Sequence, residues 1–265
     1  MIHAILSQLP PDFPWRDQIR YFPSISSTND RLKQLAKEGA PHGTVLVAGC
    51  QTNGHGRMGR SFHSPEGKGI YLSVLLRPNC PAAELMHLTC AAAVAMCDAV
   101  EKAAGFRPGI KWTNDIVCGK HKLGGILTEL GLGHNAAADW AIIGIGINCG
   151  QVSHDFPEDI RDIAGSLRMI TGRDISVSAL AAAMVEALEQ MDHSLLTGKE
   201  AMLDAYRRDC VTLGRDISLV QGDSVRHGKA ICVDDQGALV VALPNGTLET
   251  VSSGEVSIRG MYGYV

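Results

Sequence analysis

The sequence of 265 residues lacks several features that would assign a function class at once. Its eight cysteines never form a C-x-x-C pair, so the usual zinc-site spacing is missing and buried free thiols in a reducing compartment are expected. No uninterrupted apolar run approaches the roughly 20 residues that cross a bilayer. The N-terminus has no basic segment followed by an apolar one, as a secretory signal requires. These absences argue against a zinc, membrane or secreted protein and predict a cytoplasmic location.

The sequence also lacks an overall basic charge that would attract nucleic acid. Its formal net charge is −4, and no local basic patch stands out. Duplex DNA is therefore not an expected partner. A hydrophobic fraction of 45% with 20% charged residues is ordinary for a folded globular chain, and the length suffices for one large domain with a small one.

Two regions of different pattern follow one another along the chain. In the first, helices are predicted at about 29–37, 81–104, 178–196 and 199–210, and strands at about 44–50, 69–77, 109–112, 122–130 and 140–149. Strict β-α-β alternation is absent, so we expect an α+β fold with a mixed sheet and packed helices. Short alternating strands with Gly and Asn-Gly turns then predict a small all-β domain. The predicted domains are 1–212 and 213–265.

A glycine-rich segment, QTNGHGRMGR at 51–60, follows the first predicted strand and contains a G-x-G-x-x-G pattern. Glycines let backbone amides approach an anion closely, and the guanidinium groups of Arg57 and Arg60 match phosphate oxygens. The segment is either a cationic phosphate-binding loop or a solvated hairpin tip whose arginines only keep it soluble.

Two familiar nucleotide loops do not fit this segment. A dinucleotide-binding fold needs the glycines to open a helix, with an acidic residue about 20 positions later, but Ser64-Pro65 follows and 67–83 contain no Asp or Glu. A Walker loop fails as well, since Gly69 stands where Ser or Thr is required after Lys68.

Three further polar clusters lie at predicted strand ends: KWTND at 111–115, KLGGIL at 122–127 and GIGIN at 144–148. A lysine that begins an apolar strand is often only a snorkelling edge residue. Glycines on one face of a strand often permit close backbone packing, although they also leave room for a flat ligand.

Together with STN at 27–29, these segments resemble the ordered motif series of the biotin protein ligases. The match runs from about Tyr21 to Asn148, and the tail from about 213 resembles that family's small C-terminal domain. Five motifs in order are more specific than any one of them. The resemblance implies a class II synthetase-like catalytic domain, of the biotin/lipoate ligase type, followed by an SH3-like β-barrel.

The resemblance also implies a reaction. Such enzymes use ATP and Mg²⁺ to convert biotin to biotinyl-5′-AMP, and then transfer the biotinyl group to a lysine of a biotin carboxyl carrier protein, here that of acetyl-CoA carboxylase. No tightly bound prosthetic group is expected. Small hydroxyls and amides suit the neutral ureido head of biotin. The residues implied to bind biotin are Ser27, Thr28, Asn29, Gln51, Gly54, His55, Gly56, Arg57 and Lys122.

Three cations are implied in catalysis. Lys122 would lie beside the biotin carboxylate and the α-phosphate, where its charge offsets their repulsion. Arg57 would clamp the adenylate phosphate and exclude water, and Lys111 would lie near the acyl-phosphate. The residues implied to bind the nucleotide are Arg57, Arg60, Trp112, Asn114, Asp115 and Asn148. Of these, Asn148 would meet the adenine, and Asn114 and Asp115 would organise the site or a metal whose ligands are not assigned.

The sequence departs from the family pattern at two positions. His55 stands where many members have Arg or Lys, so the charge of the loop would vary near neutral pH. Thr113 stands where Pro is usual, which relaxes the backbone there without removing a functional group. About two dozen residues precede Ser27, too few for the helix-turn-helix domain of some members, so no DNA binding is expected.

Two other functions stay open from the residues alone. A lipoate or octanoate ligase or transferase would share the architecture, and a noncatalytic ligand-binding module would use the β-rich tail for interactions. The complete GHGRMGR loop and the KWTND segment favour the biotin ligase. An exposed sheet edge could pair two copies as a homodimer or bind the carrier domain.

Overall fold

The computed structural model describes residues 1–133, 137–252 and 257–260. Within them a seven-stranded sheet packed against helices precedes a five-stranded sheet. The strands of the first sheet are β1 (Ile19–Phe22), β2 (Thr44–Ala48), β3 (Gly69–Leu76), β4 (Gly109–Lys111), β5 (Asp115–Cys118), β6 (His121–Leu132) and β7 (Ala138–Asn148). The observed architecture confirms the predicted α+β class.

The first sheet has the order β1-β2-β3-β7-β6-β5-β4. β1 and β2 are parallel, and each of the other neighbouring pairs is antiparallel. β2 and β3 therefore form an antiparallel hairpin, with the glycine-rich segment in its long connection. β3 is buried over its whole length because other elements cover both of its faces, which explains its nearly continuous apolar sequence.

Six helices are present in the described part of the chain: α1 (Ile2–Leu6), α2 (Thr28–Lys37), α3 (Leu88–Ala104), α4 (Leu167–Thr171), α5 (Val177–Ser194) and α6 (Lys199–Asp209). Side chains alternate along a strand, so the two faces of β3 meet different helices. Val74 belongs to the large core with α3 and α5, whereas Leu75 belongs to a smaller core with α2. Ser73 shares the α2 face by the same alternation.

The core helix is α3, which ends where Gly105 adopts a left-handed φ of 75°. Together with the 3₁₀ turn before it, the segment 82–104 is long and apolar enough to cross a membrane by length and composition, with a mean hydropathy of 1.4. However, 72% of that apolar window is buried inside the protein. A core helix meets the same criteria, so this segment is weak support for a membrane span.

The second sheet contains β8 (Asp216–Gln221), β9 (Ser224–Val233), β10 (Leu239–Ala242), β11 (Leu248–Val251) and β12 (Ser257–Gly260). Its order is β11-β10-β9-β8-β12, and each pairing is antiparallel, consistent with the expected SH3-like domain. The predicted Asn-Gly turn connects β10 and β11, with Gly246 at a φ of 84°. α6 ends at Asp209 and β8 begins at Asp216, and the predicted domain boundary falls between them.

Several short elements were not predicted: α1, β1, α4 and β5. β5 lies in a stretch whose polar residues and Gly119 favour a turn, and its pairing with β4 and β6 overrides that local preference. The predicted helix at 81–104 is divided into a 3₁₀ turn, Ala82–Leu85, and α3. All eight cysteines are free, but the expectation of burial is wrong for Cys232, which is exposed.

Candidate active site

A cavity of about 580 Å³ lies beside the N-terminus of α2, within the range of roughly 300–1,000 Å³ that is usual for small-molecule sites. It brings together residues of all five motifs. Among the residues predicted to act, those that line it are Ser27, Thr28, Asn29, Gln51, His55, Gly56, Arg57, Arg60, Lys111, Trp112, Asn114, Asp115, Lys122 and Asn148.

Gly54 is the exception among the predicted site residues, because it does not line the cavity. A Cβ atom at this position would lie 2.7 Å from the Phe62 carbonyl oxygen and 2.8 Å from Ser64 Oγ. Phe62 N also donates to the Gly54 carbonyl at 2.9 Å. Gly54 therefore lets the two ends of the glycine-rich segment approach each other, which is a structural role that the sequence pattern did not distinguish from ligand contact.

The N-terminus of α2 forms one wall of the cavity. Ser27 caps the helix, with its Oγ accepting from Asp30 N at 3.3 Å. Thr28 donates from both its backbone N and its Oγ1 to Gln51 Oε1, at 2.9 and 3.0 Å. Gln51 Nε2 in turn donates to Ser64 Oγ at 3.3 Å. The orientation of these small polar groups is thus set within the protein itself.

A buried serine on β3 contacts the side chains of this wall on the side of the sheet. Ser73 Oγ lies 2.7 Å from Thr28 Oγ1 and 2.6 Å from Asn29 Oδ1, and its proton serves one of them at a time. Ser73 was missed by sequence reasoning. The available signal was that it is the one small polar side chain in a strand that is otherwise aliphatic apart from Tyr71.

The polar network continues from Asn29 toward the surface. Asn29 Nδ2 donates to Glu129 Oε2 at 2.8 Å, and Lys33 Nζ contacts both Glu129, at 3.0 Å, and Asp30, at 2.8 Å. His55 Nε2 lies 2.9 Å from Asp30 Oδ2. Partial burial opposes ionisation of Asp30, but hydrogen bonds from Lys33 and His55 outweigh it and lower the pKa of this carboxyl group.

The glycine-rich segment folds as a small closed loop that lines the cavity. Gly56 N donates to the Arg60 carbonyl at 2.6 Å, and a 3₁₀ turn spans Arg57–Gly59. Met58, at the tip, has a left-handed φ of 56° and is 58% exposed. His55 lines the cavity and also contacts Asp30 of α2, so this contact connects the loop to the helix.

Two cations reach the same short turn, KWTND, from different directions. Arg57 donates from the loop to Asn114 Oδ1 at 2.9 Å, and Lys122 on β6 contacts Asp115 Oδ1 at 2.6 Å. Asn114 is itself fixed, because its Nδ2 donates to the Ile126 carbonyl at 2.9 Å. Burial lowers the pKa of Arg57, while the charge of Asp115 opposes that shift. Arg57 stays charged at neutral pH.

The glycines of β7 face the cavity and allow two close approaches. A Cβ atom at Gly144 would lie 2.0 Å from Asn29 Oδ1, and one at Gly146 would lie 2.4 Å from the ring of Phe62. Both glycines therefore make room for neighbouring side chains, in addition to any ligand. Phe62 was not predicted as a site residue.

The far wall of the cavity is formed by Asn148 and a connecting segment that sequence reasoning did not assign. Asn148 is buried, donates to the Gly165 carbonyl at 2.9 Å and accepts from Gln151 Nε2 at 3.0 Å. The segment follows β7 and contributes apolar side chains, which are Phe156, Ile160, Ile163 and Ala164. Backbone hydrogen bonds from Lys122 N to the Ile163 carbonyl, at 2.7 Å, hold it beside β6.

The fold and this site define a ligase of the biotin and lipoate class, and comparisons with known proteins agree. The model of the biotin/lipoate A/B protein ligase family matches residues 21–148, and that of the biotin protein ligase C-terminal domain matches residues 212–259. The bifunctional ligase/repressor BirA of Bacillus spizizenii is 36% identical over 230 residues, covering 86% of this chain and 70% of the relative.

Two further relatives extend over more of their own length. The biotin–(acetyl-CoA-carboxylase) ligase of Mycobacterium tuberculosis is 31% identical over 253 residues, which are 91% of this chain and 89% of the relative. The biotin protein ligase of Aquifex aeolicus, solved in complex with biotin and ATP, is 29% identical with a TM-score of 0.76, covering 91% of this chain and 98% of the other. The chain belongs to the biotin protein ligase family.

Proposed function

We propose that this protein joins biotin to AMP at the expense of ATP and then transfers the biotinyl group to a lysine of a biotin carboxyl carrier protein. The observation that carries the proposal is that Arg57 and Lys122 line one cavity, beside Asn114 and Asp115. The reacting groups, a carboxylate and a triphosphate, are both anionic, so they react only where cations offset their repulsion.

The N-terminus of α2 suits the ureido head of biotin. This head is neutral and needs both donors and acceptors, which Ser27, Thr28, Asn29 and Gln51 supply from one wall. Hydrogen bonds within the protein fix these groups before biotin binds: Thr28 donates to Gln51, Ser73 donates to Asn29, and Ser27 accepts from Asp30 N. This reduces the entropy lost on binding.

In the first step, a carboxylate oxygen of biotin attacks the α-phosphorus of ATP, and the bond from that phosphorus to pyrophosphate breaks. Lys122 would contact the carboxylate and the α-phosphate together and stabilise the charge that builds on phosphorus. The ion pair with Asp115 holds the ammonium in the cavity until then. Lys111, which is buried and lines the same cavity, would lie near the acyl-phosphate.

In the second step, the amine of the carrier lysine attacks the acyl carbon, AMP leaves, and the attacking nitrogen loses a proton. The adenylate is a mixed anhydride that water hydrolyses, so it must be shielded until the carrier arrives. The loop that carries Arg57 lines the cavity and would clamp the phosphate while it excludes water.

Mg²⁺ would accompany ATP in this reaction. Asp115 is the carboxylate that the described structure places on the cavity lining, and no group of three or more His, Cys, Asp or Glu side chains suited to a metal occurs among the described residues. Mg²⁺ commonly uses one or two carboxylates together with substrate phosphates, so this donor set fits a metal held mainly by ATP. Asp115 would supply the protein ligand.

The test is an exchange assay between ATP and labelled pyrophosphate with the purified protein. Exchange should depend on biotin and should not occur with lipoate or octanoate; lipoate-dependent exchange would instead support the related lipoate ligases. Transfer is checked with a purified biotin carboxyl carrier protein, whose biotinylated form is detected by mass. A carrier with the acceptor lysine changed to arginine is the matched control and should stay unmodified.

A further inference from the structure

The turn KWTND is held from outside the catalytic sheet. Trp112 lines the cavity, yet its indole Nε1 points away and donates to the carbonyl of Gly237, at 3.0 Å, in the turn between β9 and β10. Trp112 N donates to Thr212 Oγ1 at 2.9 Å, and Tyr206 OH donates to the Thr113 carbonyl at 3.0 Å. All three hydrogen bonds are buried.

The turn between β9 and β10 is built to keep its carbonyl in one place. Asp234 Oδ1 accepts from two backbone groups, Gln236 N at 2.8 Å and Ala238 N at 2.9 Å. The backbone of Asp234 closes the same turn, donating to the Ala238 carbonyl at 2.9 Å and accepting from Gly237 N at 3.1 Å. An aspartate that bonds the backbone two residues ahead stiffens a turn.

Gly237 fits this contact in a way that other residues would not. It has a left-handed φ of 82°, and an added Cβ atom would lie 2.9 Å from Cys90 Sγ on α3. Arg207 on α6 further fixes the turn, donating to the Val233 carbonyl at 2.8 Å and to Asp235 Oδ1 at 3.0 Å. The Gly237 carbonyl is therefore held against α3 and α6 at the position where the indole donates.

The residues that flank Trp112 and Thr113 in the sequence are those assigned to the reaction. Trp112 and Thr113 stand between Lys111 and the pair Asn114 and Asp115, which contact Arg57 and Lys122. We propose that the turn between β9 and β10 is a positioning element of the active site, in which the Gly237 carbonyl fixes Trp112 and so sets the backbone that presents Asn114 and Asp115. This inference rests on the proposed function and assigns the C-terminal sheet a part in the first chemical step.

The experiment loosens the turn without touching the cavity. Asp234→Ala removes the acceptor of two backbone groups, whereas Asp234→Asn keeps an equivalent oxygen and should restore the wild-type behaviour. In Asp234→Ala, kcat for biotin-dependent pyrophosphate exchange should fall about 10- to 100-fold, the scale expected when catalytic groups move by a fraction of an ångström to an ångström, with KM for biotin unchanged. Gln236→Ala, which alters an exposed side chain of the same turn, is the matched control.

A readout independent of activity accompanies the kinetics. In ¹⁵N-tryptophan-labelled protein, the indole N–H signal of Trp112, identified by its loss in Trp112→Phe, should exchange slowly with solvent in the wild type and faster in Asp234→Ala. A wild-type kcat in Asp234→Ala, or equal loss in Asp234→Ala and Asp234→Asn, would overturn the proposal. If Asp234→Ala fails to fold, Gly237→Ala decides, because its methyl group would meet Cys90 Sγ and displace the carbonyl without touching the cavity, so kcat should fall in the same way.

The same measurements separate this inference from the function on which it rests. A folded wild-type protein without biotin-dependent exchange contradicts the proposed function. An active wild type with an equally active Asp234→Ala contradicts only the positioning role of the turn.

Discussion

The ammonium of Lys122 lies 2.6 Å from Oδ1 of Asp115 inside the cavity. The pair joins β6 to the first residue of β5, and the residue before it, Asn114, accepts a hydrogen bond from Arg57 of the loop. One short turn thus positions a fixed cation and a cation carried by the glycine-rich loop. A bound carboxylate or phosphate would compete with Asp115 for Lys122, so binding of the substrates and rearrangement of this pair are coupled.

The first prediction concerns Lys122 itself. Lys122→Met keeps the length of the side chain and removes its charge, so adenylation should fall by about 10²- to 10³-fold, the usual effect of losing one group that stabilises transition-state charge. Biotin-dependent pyrophosphate exchange measures this loss, and thermal unfolding checks the fold.

Lys120→Met is the matched control for this change. Lys120 is exposed in the turn between β5 and β6 and does not line the cavity, so its activity should equal that of the wild type. Full activity in Lys122→Met with an intact fold would contradict a catalytic role and favour a noncatalytic binding protein.

The second prediction is that Arg57 protects the adenylate. In Arg57→Ala, the ratio of AMP released by hydrolysis to biotin transferred should rise by about 10- to 100-fold, because a charge-assisted hydrogen bond is worth roughly 1.5–3 kcal/mol and every 1.4 kcal/mol is a factor of ten. Chromatography of free AMP and mass analysis of the carrier measure the two products.

The control for Arg57→Ala removes the same charge elsewhere. Arg20→Ala, at an exposed position of β1, should leave the ratio of hydrolysis to transfer unchanged. If the ratio of hydrolysis to transfer rises equally in both variants, the effect follows from net charge, and the role assigned to Arg57 in holding the phosphate is wrong.

The sequence was sufficient for the main elements and for most of the polar residues that line the cavity, but not for its apolar wall. Motifs such as STN and KWTND combine polar groups with the ends of apolar segments, and local signals place the ends of helices and strands: Ser27 caps α2 and Gly105 terminates α3. The glycines of β7 were ambiguous, and the structure shows that Gly144 and Gly146 accommodate side chains, Asn29 and Phe62.

Contacts between distant parts of the chain could not be predicted. The support of Thr28 by Ser73 and of Trp112 by Gly237 joins residues 45 and 125 positions apart. β5 was missed for a related reason, since its stability comes from pairing with β4 and β6 rather than from its own residues. Such features depend on tertiary packing, which a local sequence pattern does not predict.

The third prediction concerns pH. The pKa of Asp30 is lowered in the folded protein, since hydrogen bonds from Lys33 and His55 outweigh the effect of partial burial. A carboxyl group with a lowered pKa contributes stability above its ordinary value of 3.8, and that contribution is lost as the pH falls through the folded-state value. At neutral pH, Asp30→Asn should therefore lower the free energy of unfolding, by at most about 1 kcal/mol because the groups are partly exposed.

Urea unfolding at a series of pH values measures this difference, which should shrink as the pH falls below 3.8, disappear below the lowered folded-state pKa, and shrink at high salt. Asp12→Asn, at an exposed position, is the control and should show no such dependence. A difference that persists at low pH would show that the carboxylate charge is not its source.

The fourth prediction uses Gly144 to separate biotin binding from catalysis. A methyl group at this position would lie 2.0 Å from Asn29 Oδ1, so in Gly144→Ala the amide of Asn29 must move from its present position or β7 must shift. Such overpacking costs about 1–3 kcal/mol, and because Asn29 belongs to the wall assigned to the ureido head, the Kd for biotin should rise by roughly 10-fold or more.

Gly150→Ala is the matched control, since a methyl group there would make only an ordinary contact with the Lys68 carbonyl, at 3.8 Å. Calorimetric titration with biotin in the absence of ATP measures both variants. Equal affinity in the two would mean that Asn29 does not contact the ligand, whereas weak binding by Gly144→Ala alone would place the ureido head at the N-terminus of α2.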